Sequence, residues 1–170
     1  MPFAAAIIGG SAAHGRPAWL ALAIFLVAAA TDFIDGRLAR ASGSASDRGQ
    51  VLDSAADIIF VGTGLVLFAA GGRIPWLVPA AMAGAVVVYV RDSLHPGRGE
   101  DAPLLDRSAI GHAAGVANFA LVGLLTVQHG YPQWVPVALV GLATVVTIAL
   151  NLGSVLQRLA GRSARTSQQI

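Results

Sequence analysis

The chain contains no cysteine and no lysine. The first absence excludes disulfides, thiolate metal sites and cysteine nucleophiles. The second makes all eleven basic residues arginines. Charge of either sign is scarce: Asp, Glu, Lys and Arg make up 12% of the residues, against about a quarter in a soluble domain. There is no basic run and no patch of arginines interleaved with aromatics, so the net charge of +2 and the pI near 9.9 point to no nucleic-acid partner. Met1–Ala13 is apolar without a basic start, which does not fit a signal peptide. No solenoid repeat or low-complexity tract is visible.

What the chain has instead is apolar length. Hydrophobic residues make up 55% and the mean hydropathy is +0.69, the balance of an integral membrane protein of one domain, residues 1–170. A bilayer needs roughly 20 residues of helix. Five segments qualify, near Pro17–Ala39, Val51–Ala70, Pro75–Val90, Ala109–Gln128 and Trp134–Leu156, with the third the shortest. Pro17, Pro75, Pro132 and Pro136 fall at or near helix starts, where a missing N–H costs little. The expected fold is an all-α integral membrane protein, a polytopic bundle of five transmembrane helices. Met1–Gly15 is too short to span.

Orientation follows from the arginines. With the turn between the first two spans inside, Arg37, Arg40, Arg48, Arg91, Arg98, Arg107, Arg158, Arg162 and Arg165 are inside and only Arg16 and Arg73 outside. Trp19, Trp76 and Trp134 then each open a span at the outer interface, where indole is favoured, with Tyr131 beside the last. Residues 158–170 become a cytoplasmic tail.

The acidic residues are concentrated where the first span turns into the second. Asp32 and Asp35 stand at i and i+3, with Gly36, Ala39 and Arg40 further along the same broad helical stripe. Gly49, Asp53 and Asp57 stand at i, i+4 and i+8, again one face. Four carboxylates converging at low dielectric repel one another unless cations lie between them. An all-oxygen ligand set suits Mg²⁺ or Mn²⁺. The spacing therefore predicts a metal site of two ions.

Written out, the stretch is Asp32-Phe-Ile-Asp35-Gly36-Arg-Leu-Ala39-Arg40, eight residues, Gly49, three residues, Asp53, three residues, Asp57. It resembles the motif of the CDP-alcohol phosphotransferase family at every specified position. The resemblance covers about 26 residues directly. It implies an enzyme that moves a phosphatidyl group from a CDP-linked lipid such as CDP-diacylglycerol to an alcohol, releases CMP, serves phospholipid synthesis and works as a homodimer in the cytoplasmic membrane with its site facing the cytoplasm. Asp32, Asp35, Asp53 and Asp57 look like metal ligands, Asp57 also like the catalytic general base. Gly36, Ala39, Arg40 and Gly49 look like the CDP-binding set, the glycines admitting the nucleotide to the helix backbone and Arg40 meeting diphosphate charge. Family members usually have six spans with the motif between the second and third; here it bridges the first and second of five, as loss of one leading helix would produce.

The inner loop after the third span carries Arg91, Arg98 and Arg107, and His112 follows in the next helix. Arginine forks suit a phosphate-bearing acceptor, so these four are candidate acceptor-binding residues, for glycerol 3-phosphate or an inositol phosphate. Gly111 and Gly115 form a small-xxx-small pair read as packing within the bundle, and Asn118 either lines a polar cavity or bonds a neighbouring helix. Two alternatives stand beside the enzyme: an inactive, N-truncated member of the same family, and a cation or proton transporter using the same carboxylates.

Overall fold

The computed structural model describes residues 22–27, 29–31, 34, 47–93 and 108–166. All the regular structure among them is helical. Residues 22–27, 29–31 and 34 belong to the first expected span. Four helices follow: α1, Asp47–Ala70; α2, Leu77–Ser93; α3, Ala109–Gly130; and α4, Val137–Thr166.

Local chemistry fixes the helix ends. After α1 the chain makes a Schellman turn. Gly72 takes a positive φ of 69°, its N–H donates to the Ala69 carbonyl at 3.0 Å and the Arg73 N–H to that of Phe68 at 2.9 Å. Glycine adopts that conformation without a Cβ penalty. Ser108 caps α3 with an extended backbone, its hydroxyl accepting from the Gly111 N–H at 3.0 Å. Pro136 closes the α3–α4 connection and opens α4 as a residue with no N–H to satisfy.

α1 packs against α2 and α3, and α4 packs against the same two, which sets α1 and α4 across the bundle from each other. The core is Phe60, Val61, Leu65 and Phe68 of α1, Val78 and Met82 of α2, Leu121, Val122 and Leu125 of α3, and Val140 of α4, with Phe25 from the first span. Phe25 and Phe119 have ring centroids 5.1 Å apart, and Phe60 lies 6.2 and 6.3 Å from the two. Small residues let these groups close up: a Cβ on Gly123 would sit 2.9 Å from the Phe25 ring, and one on Gly64 would sit 3.1 Å from Val122. Close packing of this kind, rather than expulsion of water, holds helices together in lipid.

The outward surface is apolar too. Val137, Leu142, Val145 and Leu156 of α4, Val116 of α3 and Val87 of α2 are all exposed, a surface suited to hydrocarbon rather than water. Among the described residues, α3 and the Val137–Gly161 part of α4 are long and apolar enough to cross a membrane, while α1 contributes a shorter apolar stretch, Ser54–Ala70. The chain is an all-α membrane bundle, as its composition implies. α4 differs from expectation at its far end. Apolar length suggests a span ending near Leu156 and a tail from 158, yet the helix runs on to Thr166 and Arg158 is packed inside, its side chain 8% exposed.

Candidate active site at one end of the bundle

The two ends of the bundle have opposite characters. One collects the N-termini of α1 and α3 and the C-termini of α2 and α4; we call it the motif end. The other, the tryptophan end, carries exposed Trp76 and Trp134. There Arg73 Nη2 donates to His129 Nδ1 at 3.3 Å, Tyr131 stacks on Trp134 with centroids 4.9 Å apart, and the buried Gln128 amide donates to the Val135 carbonyl at 3.4 Å.

Contacts between helices set the register at the motif end. Phe119 beside Phe60, Val122 against Gly64 and His129 with Arg73 each pair residues about 58 apart, so α1 and α3 run parallel and Asp53 stands level with Gly111 and His112. Asp57 is level with Gly115 by the same offset. α4 runs antiparallel to α3, and a Cβ on Gly111 would meet Ser154 Oγ at 3.5 Å and Arg158 Nη2 at 3.7 Å. Arg158 is therefore at the height of Asp53.

α1 begins at Asp47, so Gly49, Asp53 and Asp57 do lie on successive turns of one helix. Gly49 is exposed and Asp57 half-buried. Arg91 is exposed in the last turn of α2 and His112 exposed in the first turn of α3. Asp32, Asp35, Gly36, Ala39, Arg40, Arg98 and Arg107 lie outside the described residues. No group of three acidic or histidine ligands occurs among the described residues. Asp53 and Asp57, all-oxygen donors one turn apart, suit a hard divalent ion as one half of the ligand set read from the sequence.

The structure adds residues that sequence reasoning passed over. Thr144, Thr147, Asn151 and Ser154 are buried along one face of α4, and the same face continues to Arg158. Their spacing of three and four residues is legible in the sequence, but hydroxyl and amide groups so small are lost in an average over an apolar helix. Asn118 and Asn151 each donate a side-chain N–H to the other's carbonyl oxygen at 3.1 Å, and Asn151 also donates to the Thr147 carbonyl at 2.8 Å. Asn118 thus bonds a neighbouring helix. Thr147 Oγ1 reaches the Ala117 carbonyl at 3.5 Å. At the end of the stripe Arg158 Nη1 donates to Asp92 Oδ2 at 3.4 Å, and its guanidinium lies 5.1 Å from the centre of the Tyr89 ring. Of the small-residue pair, Gly111 packs against α4, while Gly115 is exposed with open space where a side chain would be.

The described residues form a helix bundle with the apolar outward surface of an integral membrane protein and with Asp57, Arg91, Asp92 and Arg158 toward one end. The CDP-alcohol phosphatidyltransferase family model matches residues 1–150, and the chain belongs to that family. It is similar to the CDP-diacylglycerol–glycerol-3-phosphate 3-phosphatidyltransferase of Cereibacter sphaeroides, 44% identical over 61 residues, 35% of this chain and 28% of that protein. It is also similar to a probable phosphatidylglycerophosphate synthase of Mycobacterium tuberculosis, 37% identical over 76 residues, 45% of this chain and 36% of that protein. The matched stretches thus span about a third of the length of these relatives. No solved structure matches the chain.

Proposed function

We propose that the protein transfers a phosphatidyl group from CDP-diacylglycerol to a phosphate-bearing alcohol, glycerol 3-phosphate before an inositol phosphate, with release of CMP. The observation that carries this reading is the register of the motif end: the helix bearing Gly49, Asp53 and Asp57 stands level with the first turn of α3 and with Arg158. The relatives named for glycerol-3-phosphate transfer and phosphatidylglycerophosphate synthesis support the choice of acceptor. The topology read from the sequence, which sets nine of eleven arginines on one side, supports a site facing the cytoplasm across the cell membrane. The family resemblance supports a homodimer.

In the reaction the acceptor hydroxyl oxygen forms a bond to the phosphatidyl phosphorus. The P–O bond to the cytidylate breaks, CMP leaves with its electron pair, and the hydroxyl proton passes to the Asp57 carboxylate. Asp32, Asp35, Asp53 and Asp57 would hold Mg²⁺ or Mn²⁺, whose contribution when bound is to neutralise and align the diphosphate. By the family resemblance, Gly36 and Gly49 would admit the nucleotide, Ala39 would give room beside the base, and Arg40 would meet the diphosphate. We assign the acceptor's phosphate to the positive charge of Arg158 and Arg91, together with Arg98 and Arg107 as read from the sequence, with His112 as a hydrogen-bond partner. The test is CMP release from labelled CDP-diacylglycerol with a divalent ion and a panel of acceptors. Release with glycerol 3-phosphate, abolished by Asp57→Asn, is expected. Silence across the panel together with cation flux in liposomes would overturn the reading in favour of a transporter.

A further inference from the structure

The tryptophan end holds basic side chains without an acid to balance them. No Asp or Glu occurs in residues 58–91 or 107–170, so the turn 71–76, the connection 131–136 and the helix ends beside them contain no carboxylate. Arg73 is nonetheless held in place. The turn at Gly72 ties its N–H to the Phe68 carbonyl at 2.9 Å, and its side chain crosses to the end of α3, where Nη2 donates to His129 Nδ1 at 3.3 Å. A guanidinium only donates, and an imidazole that accepts at Nδ1 carries its own proton on Nε2. The pair therefore presents N–H groups and positive charge to its surroundings. At the motif end the guanidinium of Arg158 has the Asp92 carboxylate, whereas that of Arg73 meets an imidazole. Exposed Trp76 follows in the same turn as Arg73, and exposed Trp134, stacked on Tyr131, follows His129 in the next connection. Leu77, Val137 and Leu139 are exposed just beyond the two indoles. Indole is favoured where hydrocarbon gives way to headgroups, which sets Arg73 and His129 at headgroup depth.

We propose that Arg73 and His129 form a binding site for the phosphate of an anionic phospholipid in the leaflet at the tryptophan end. A phosphodiester offers acceptor oxygens that match the guanidinium fork. A zwitterionic headgroup would bring a second cation to an end that has no carboxylate to receive it, so a net negative headgroup is favoured. A lipid is favoured over an acidic protein segment because exposed indoles and aliphatic side chains at this end suit a bilayer. The site lies at the opposite end of the bundle from the motif and stands independently of the reaction proposed above.

The test is native mass spectrometry of the full chain released from nanodiscs of phosphatidylcholine containing phosphatidylglycerol, with thermal unfolding in the same discs as a second reading. The parent is expected to retain phosphatidylglycerol in preference to phosphatidylcholine and to melt higher as the phosphatidylglycerol fraction rises. Arg73→Gln is expected to lower the retained phosphatidylglycerol about fivefold, the scale of one basic side chain near an anionic surface, and to flatten the rise in melting temperature. His129→Phe should lower retention about twofold, the low end for a neutral hydrogen bond. Arg73→Lys, which keeps the charge and loses the fork, should fall between the parent and Arg73→Gln. In phosphatidylcholine alone Arg73→Gln should melt with the parent, which separates a lost lipid from a lost fold. A parent without the preference overturns the proposal whatever the variants do. Retention unaltered by Arg73→Gln overturns it, and if that variant also melts lower in phosphatidylcholine alone, the Arg73–His129 contact is a tie between helices. Retention lost only on Arg91→Gln would assign the lipid to the motif end and overturn it. Displacement of the lipid by inorganic phosphate would make this a site for the free ion, and a fall in dimer population at constant retention would give the surface to a second copy of the chain; either overturns it.

Discussion

The tryptophan half and the motif half of this bundle are built from the same helices by different rules. Toward the tryptophan end α1 and α3 meet through Phe60, Phe119, Leu65, Val122 and Leu125, and the chain turns on a glycine and on prolines. At the level of those two rings Asn118 and Asn151 pair, and from there toward the motif end the same helices, with α2 and α4, present Asp57, Ser154, Asp92 and Arg158. The difference teaches that stability and chemistry are separated along the helix axis. The apolar half gathers the packing that holds the helices, and the polar half carries ionisable groups that are costly in a membrane and are found there when they act.

That contrast can be broken most severely at Asp57. Asp57→Asn keeps size and shape, so the bundle should keep its melting temperature, while CMP release falls by about a thousandfold, within the range lost with a general base; a stopped-time radiolabel assay on purified protein measures it. Phe60→Ala should do the reverse. Removing a ring that is 1% exposed is expected to cost about 3 kcal/mol in a denaturant titration, with the activity of the molecules that remain folded unchanged. If Phe60→Ala instead lowers turnover at constant stability, the two halves are not separable. Between these extremes lies the Asn118–Asn151 pair. A double-mutant cycle with valine at both positions should return a coupling of about 1 kcal/mol, as interhelical hydrogen bonds in lipid do. The smallest effects come from two glycines. Gly115→Ala, into open space, should stabilise by about 0.5 kcal/mol through helix propensity, whereas Gly64→Ala, 3.1 Å from Val122, should lose that gain to crowding. Thermal unfolding of the pair side by side sharpens which half tolerates added volume.

Much of this was legible in residues alone. Apolar runs marked Val51–Ala70, Pro75–Val90, Ala109–Gln128 and Trp134–Leu156, and the helices fall at Asp47–Ala70, Leu77–Ser93, Ala109–Gly130 and Val137–Thr166. The starts and stops differ because hydropathy reports what hydrocarbon accepts, while backbone hydrogen bonding carries a helix past that limit until a cap or a breaker ends it. The same reason explains Arg158. A lone arginine past an apolar run reads as a solvated tail, and only the approach of α2, which brings Tyr89 and Asp92, makes it an interior residue. Fixed identities at fixed spacing made Gly49, Asp53 and Asp57 stand out. The acceptor site proposed above has no such pattern, because single residues on several helices have a spacing only in space.

The two asparagines have one further consequence. Each amide is donor and acceptor to the other, so the contact is satisfied at a single setting of α3 against α4. Sliding α4 by one turn, about 5.4 Å, would carry Asn151 past Asn118 toward aliphatic neighbours such as Ala114 or Val122 and take from the Asn118 amide and the Asn151 carbonyl oxygen their partners across the helices. The pair works as an indexing pin. It fixes how far α4 is pushed in, and with it the depth at which the guanidinium of Arg158 is presented, two turns along the same helix.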